Sequence, residues 1–319
     1  MRLVFLGTPE VAVPTLRALV GRGHEVVLVV TRPDRPAGRS GRPVSPPVKR
    51  AAEQLGLAVH QPTRVRGAAF ADELGSHRPD LLVVVAYGRI LPGAVLRLAP
   101  SGAINLHFSL LPAYRGAAPV QWALANGEKT TGVTTMQISE GLDEGDVLIQ
   151  REVVIHSGEH APALQERLAS IGAELTLQTL EALEAGTLVS RPQQPSMATY
   201  APLLTAADGE IDMRWTAREI VGRIRGFDPW PGAWVANAAR RLRLVEADCL
   251  DDAPTEAGPG QVLELSGEGL VVACGGGTRL SVTRLQSQGR RVMTARDAVN
   301  GRHLRPGDRL GRPGSDRRG

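Results

Sequence analysis

Asn105 and His107 lie two apart in INLHFSLLPAYRGAAP, residues 104–119. On an extended strand, residues i and i+2 share a face. A side-chain amide donates to an oxygen that gains negative charge, and an imidazole beside it gives or takes a proton. The pair therefore suits acyl-type chemistry at a carbonyl. A third group, Asp143, lies in the turn GLDEGD, residues 141–146; set against His107, it would fix the ring's tautomer and raise its basicity. Local spacing does not bring Asp143 and His107 together. Each residue alone has a plainer reading: His107 as a structural histidine at a strand end, Asn105 as a cap or turn residue, Asp143 as a solvated carboxylate of a surface hairpin.

Positioning such groups takes a scaffold, and the first half of the chain alternates strand and helix. LVFLG (3–7) predicts a short strand that breaks at Gly7-Thr8-Pro9-Glu10. A helix follows to about Arg22, with Pro14 tolerated in its first turn. HEVVLVVT (24–31), 57–60, DLLVVVA (80–86) and GAINLH (102–107) predict further strands. Helices are expected over 46–55, 67–76 and around Ala118–Ala125. Unbroken β-branched runs mark strands buried on both faces. The alternation predicts a doubly wound, Rossmann-like α/β sheet, with 131–139 and 147–155 as a hairpin at one edge and 160–185 as a closing helix.

Ligands of open α/β sheets bind beyond the carboxyl ends of the strands. Gly7-Thr8-Pro9, Ala86-Tyr87-Gly88 and Asn105-Leu106-His107 fall at such ends. The first lacks the G-x-G-x-x-G pattern, and Pro9 removes a backbone donor that a pyrophosphate cradle would use. A nicotinamide cofactor is disfavoured.

Residues 187–209 lose periodicity and gain Pro, Gln and Ser. After them come a helix-like TAREIVGRIRGF (216–227), the segment FDPWPGAW and strand-like runs at 241–247, 260–265, 269–273 and 278–285. Gly-rich turns between the runs predict a small β-barrel of the oligonucleotide-binding kind. Met213, Trp215 and the aromatics of FDPWPGAW read as packing residues. The expected division is 1–189, a catalytic domain; 190–208, a linker; 209–310, the barrel; and 311–319, a tail.

The chain has 319 residues, a formal net charge of +4 and a pI near 9.6. Residues 1–190 hold 18 Lys+Arg against 18 Asp+Glu, so the remaining 19 and 15 leave 191–319 at +4. Within the neutral half, residues 31–50 carry Arg32, Arg35, Arg39, Arg42, Lys49 and Arg50 against Asp34 alone, a net of +5. Charge concentrated this way suits a polyanion such as nucleic acid. No apolar run of 18 residues is present, which argues against a membrane span. MRLVFLGTPE reads as a short strand running into a turn, so a secretory leader is not expected. Two cysteines, Cys249 and Cys274, make neither a disulfide scaffold nor a four-ligand zinc site; a reducing cytoplasm is the expected compartment.

The sequence resembles the folate-dependent formyltransferases, and among them those that formylate methionyl initiator tRNA. The resemblance covers about residues 1–310. It rests on FLGTPEVA (5–12), TRPDRPAGR (31–39), VVVAYGRILP (83–92), INLHFSLLPAYRGAAP (104–119), TGVTTMQISEGLDEGDVL (131–148) and FDPWPGAW (227–234). It implies that Asn105, His107 and Asp143 form a catalytic trio. The same resemblance implies a site for 10-formyltetrahydrofolate along Val85, Tyr87, Gly88 and Ile90 and along Ser109, Leu110, Leu111 and Pro112. The basic loop would meet the tRNA acceptor end through Arg35, Arg39 and Arg42, and the barrel would add a second tRNA-binding surface. No metal is expected, since no His/Cys/carboxylate cluster has ligand spacing; no membrane partner is expected, and a monomer is the default, since tRNA binding needs no symmetry. Phe108 departs from the pattern, since relatives usually carry a small residue or Pro there. Formyltransferases acting on a sugar nucleotide or a ribonucleotide amine would share the trio; the basic loop and barrel favour tRNA. A noncatalytic RNA-binding module is the rival of another class, and an intact trio argues against it.

Overall fold

The computed structural model describes residues 1–36, 43–237, 240–250 and 254–311. They divide into two compact units: Met1–Pro119 with Thr130–Val154 and Leu164–Pro202, and Val120–Lys129 with Ile155–Ala163 and the chain from Leu203.

The first unit is built on seven strands: β1 (Arg2–Gly7), β2 (Glu25–Val30), β3 (Val59–His60), β4 (Leu81–Val85), β5 (Ala103–His107), β6 (Thr130–Gln137) and β7 (Val147–Val154). Their order across the sheet is β3-β2-β1-β4-β5-β6-β7. The first five run parallel, while β6 and β7 are antiparallel and form the expected edge hairpin. Leu3, Val4, Phe5 and Leu6 of β1 are fully buried, and every residue of β4 is buried. Helices on both faces cover these strands, so their sequences need no polar alternation. The helices are α1 (Val13–Gly21), α2 (Pro47–Gln54) and α3 (Ala68–Ser76). Pro14 of α1 and Pro47 of α2 stand in first turns, where the missing N–H costs nothing.

Strand order reverses between β1 and β4, opening a crevice at their carboxyl ends. The two strands approach closely there. A Cβ on Gly7 would lie 2.8 Å from the Phe5 ring and 3.1 Å from the Val85 carbonyl oxygen. The stretch read as a linker begins inside this unit. Arg191 pairs with Val147, and Tyr200–Ala201 runs parallel to Arg115–Gly116. Backbone pairing, not an apolar period, holds this segment.

In the second unit lies α4 (Pro119–Ala125) from Val120 on, while α5 (Ala161–Glu184) belongs to the first unit from Leu164. Further on come α6 (Ala217–Gly226), strands β8 (Ala233–Asn237), β9 (Arg240–Leu250), β10 (Val262–Ser266), β11 (Gly269–Ala273), β12 (Arg279–Ser287) and β13 (Met293–Thr294), and α7 (Ala295–Asn300). The antiparallel order is β8-β9-β12-β11-β10, with β13 beside β12. Residues 307–311 bridge the two edges: Val262 and Gly260 of the β10 side bond Gly307, Asp308 and Leu310, and Gly311 N–H donates to Ala236 O of β8. The unit is thereby barrel-like. Thr216 and Glu219 form a capping box at the start of α6, whose Ile220, Val221 and Ile224 bury with Val235, Leu244 and Leu285. Met213 and Phe227 are buried as packing residues, with Phe227 edge-on to Trp122, whereas Trp230 is exposed. The sequence pattern did not reveal β8, because AWVAN follows a Pro/Gly turn and alternates only weakly, nor the short α7.

Gly7→Ala forces apart β1 and β4 at the crevice. The expected loss is about 1–3 kcal/mol, read as a lower denaturant midpoint at unchanged m.

Candidate active site

On β5, Asn105 and His107 share a face and Leu106 takes the opposite one. Leu106 packs on α5 at Gly172, where a Cβ would fall 2.6 Å from its Cδ2. Asn105 pairs with Val84 of β4 and Met136 of β6, and His107 with Thr134. Both therefore sit at the carboxyl end of the parallel sheet. Asn105 is half-buried, and its amide makes no hydrogen bond among the described residues.

His107 is only 5% exposed. Its Nε2–H donates to the Tyr114 carbonyl at 2.9 Å, and its Nδ1 lies 3.6 Å from Asp143 Oδ2. Both ring nitrogens thus face oxygen acceptors. The hairpin turn between β6 and β7 carries Asp143 to the ring. Asp143 Oδ2 also accepts the Gly116 N–H at 2.8 Å; both interactions fall on this oxygen, leaving Oδ1 without a hydrogen bond among the described residues. Tyr114 and Asp143, the two partners of His107, both have left-handed backbone, with φ of 59° and 50°. Ala86, past the end of β4, has φ 47°. Non-glycine residues in this region cluster at functional sites because the fold must over-determine them.

The over-determination comes from the stretch around 193–201. Thr199 Oγ1 accepts the Tyr114 N–H at 2.8 Å, and Thr199 O accepts the Arg115 N–H at 2.8 Å. Gln193 Nε2 donates to Asp143 O at 2.9 Å and Gly145 O at 2.7 Å, and its Oε1 accepts from Arg115 Nε and Nη2 at 3.1 and 2.7 Å. Arg115 is 5% exposed. The sequence pattern did not reveal Gln193 and Thr199: they sit in an aperiodic stretch, and nothing local ties them to a turn 50 residues earlier.

The residues expected to line a folate site divide by where their side chains go. Val85, Tyr87, Ser109 and Leu111 are buried. Tyr87 joins the core with Phe70 and Leu91, Ser109 Oγ donates to Ala113 O, and Leu111 packs with Met136 and Val147. What these positions offer a ligand is backbone. Gly88 and Ile90 are exposed, while Leu110 and Pro112 are half-buried. Phe108 is buried as well.

An open cavity of about 380 Å³ lies at the carboxyl ends of β1 and β2, among Thr8, Arg32, Arg35, Pro46 and Arg50. Thr8 Oγ1 donates to Tyr87 O, and Arg32 donates to Gly88 O, tying the loops after β1, β2 and β4 together. Burial, then the charges of Arg35 and Arg89, lower the pKa of Arg32. The base of the basic loop hangs on Asp34. Hydrogen bonds from Gln61 first, then from Lys49 and Ser45, hold its carboxyl below the usual carboxylate range. Arg35 is exposed; Arg39 and Arg42 lie outside the described residues.

Residues 1–180 match the family model "Formyl transferase", and residues 203–303 match "Formyl transferase, C-terminal domain". A methionyl-tRNA formyltransferase of Anaeromyxobacter dehalogenans is 49% identical, covering 94% of this chain and 97% of its own. One of Geobacter metallireducens is 44% identical over 98% of this chain and 99% of its own. Among solved structures, an N-formyltransferase from Helicobacter canadensis in complex with folinic acid and dTDP-3-aminofucose superposes with a TM-score of 0.67 at 17% identity. That superposition covers 89% of this chain and 98% of the other.

A carboxyl held low by its partners stabilises the fold while ionised. Its contribution is complete above the unfolded value, about 3.9, and is lost as pH falls through the folded one. Asp34→Asn should therefore be less stable than wild type at neutral pH. The gap should stay constant down to about pH 5 and close as acid protonates Asp34 in the wild type. Unfolding midpoints measured across that range check it.

Proposed function

The chain belongs to the formyl transferase family, and on that premise we propose that it transfers the formyl group of 10-formyltetrahydrofolate to the α-amine of methionyl initiator tRNA. Relatives named methionyl-tRNA formyltransferase match it along nearly its whole length, through both units. The observation that carries the reading is the meeting of His107 and Asp143 on the strand end that also presents Asn105.

The residues fit a formyl donor. Asn105 has a half-buried amide with donors to spare, beside the His107–Asp143 pair at the mouth of the sheet. Bound formylfolate supplies an electrophilic formyl carbon. Asn105 donates to the oxygen on which negative charge grows, a donor in place before reaction. His107 serves the reacting centre as an acid–base group, its ring oriented by the Tyr114 carbonyl and the Asp143 carboxylate. Asp143 orients that ring from Oδ2, and its Oδ1 would take the proton of the attacking amine, directly or through water. The bond between the formyl carbon and folate N10 would then break, with that proton returned to the leaving nitrogen. The left-handed turn at Asp143 is what brings the carboxylate to the ring.

Residues 1–189, with the stretch to Pro202 that pairs onto them, act as the catalytic domain, the residues from there to 208 as the connection and 209–310 as a tRNA-binding domain. Arg35, Arg39 and Arg42 meet phosphates of the acceptor end, interactions that position without reading sequence. Val85, Tyr87, Gly88, Ile90, Ser109, Leu110, Leu111 and Pro112 border the folate, the buried ones through backbone. A cytoplasmic monomer accords with a tRNA substrate, whose binding needs no symmetry.

Asn105→Ala should lower kcat by about 10²–10³, with His107→Ala and Asp143→Ala at least as damaging, measured as N-formylmethionyl-tRNA formed by folded protein. Near-normal turnover in all three would sink the assignment. Replacing Arg35, Arg39 and Arg42 together by Ser should weaken tRNA binding at low salt. Its salt dependence should flatten by about one unit of slope for each phosphate no longer neutralised. Binding as tight as wild type would remove the loop from the interface.

A further inference from the structure

The groups that hold both partners of His107 come from one stretch of chain, residues 193–201. Gln193 spans the Asp143 turn from outside, donating to the carbonyls of Asp143 and Gly145 with one nitrogen. Its oxygen is spent on Arg115, a guanidinium 5% exposed. Thr199 holds the other partner, accepting the Tyr114 N–H on its hydroxyl. Ala201 completes the arrangement. It pairs with Gly116, whose N–H donates to the Asp143 carboxylate. Gly116 has φ 119°, and a Cβ there would lie 2.7 Å from Ala201 O.

We infer that Gln193 and Thr199 are positioning residues for the proton-handling pair: Gln193 sets the Asp143 carboxylate and Thr199 sets the Tyr114 carbonyl, one on each side of the His107 ring. The inference rests on the proposed roles of His107 and Asp143. The physical case is that Tyr114 and Asp143 occupy backbone conformations that cost energy outside glycine. Without outside bonds, both would relax toward ordinary turns and carry their oxygens off the ring. Gln193 bonds the backbone of the Asp143 turn and leaves the carboxylate itself open to substrate. It neither competes for Oδ1 nor adds a charge beside it. A carboxylate at position 193 would keep the Arg115 pairing but turn both donations into repulsions between oxygens.

Four variants of the full-length protein test this, with steady-state kinetics for formylfolate and charged initiator tRNA. Gln193→Ala, Gln193→Glu and Thr199→Val should lower kcat by about 10- to 100-fold, the scale of an ångström's misplacement, with both KM values within about twofold of wild type. Thr199→Ser, which keeps the hydroxyl, should retain wild-type kcat. A residue that only supported the scaffold would instead lower the melting temperature, or raise KM at unchanged kcat. The inference is overturned by folded variants whose kcat stays within about twofold of wild type, by losses confined to KM, or by collapse of the fold in all three damaging variants. Asp143→Asn separates this inference from the one beneath it. Normal turnover there removes the role of Asp143; a crippled Asp143→Asn beside unharmed Gln193 and Thr199 variants removes the positioning role alone.

Discussion

His107 is held between two oxygens, the Tyr114 carbonyl on Nε2 and the Asp143 carboxylate near Nδ1. An imidazole almost wholly buried must satisfy both nitrogens or lose hydration without return. Two loops answer that need: the turn after β5 accepts a hydrogen bond from Nε2, and the turn between β6 and β7 brings a carboxylate to 3.6 Å from Nδ1. Each delivers its oxygen from a left-handed residue that is not glycine. Such conformations cost about 1–3 kcal/mol each, so the geometry stands only while neighbouring bonds outweigh that cost.

Those bonds explain why residues 191–202 belong to the first unit and do not hang as a free connection. Gln193, Thr199 and Ala201 use backbone and side-chain hydrogen bonds where an apolar segment would use burial. A polar network of this kind is worth having only if complete, since a half-satisfied buried group costs more than an apolar one. The buried Arg115 is a member: Gln193 meets two of its nitrogens with one oxygen.

The charge distribution follows a different logic. In the second unit several arginines are paired, Arg225 with Asp248, Arg243 with Asp228 and Arg284 with Glu246. Pairs at or near the surface add little stability, and each sets a carboxylate beside a guanidinium. At the base of the basic loop, the one acidic side chain between residues 31 and 50, Asp34, is already engaged by Lys49 and Gln61. The charges of Arg35 and Arg89 add to the burial that lowers the pKa of Arg32.

Much of the fold was legible in the order of the residues. Unbroken β-branched runs announced β1, β2 and β4, because strands covered on both faces need no polar alternation. The two-residue period of a strand put Asn105 and His107 on one face, and the likeness of whole motifs named the trio. Local patterns did not show that Val85, Tyr87, Ser109 and Leu111 turn their side chains inward, nor that 307–311 bridges the barrel's edges. They also gave no sign that Gln193 reaches back to Asp143. Periodicity reports which face of an element is dry. It carries nothing about pairings between distant aperiodic segments, which exist only once the sheet has folded and brought their backbone groups within hydrogen-bond reach.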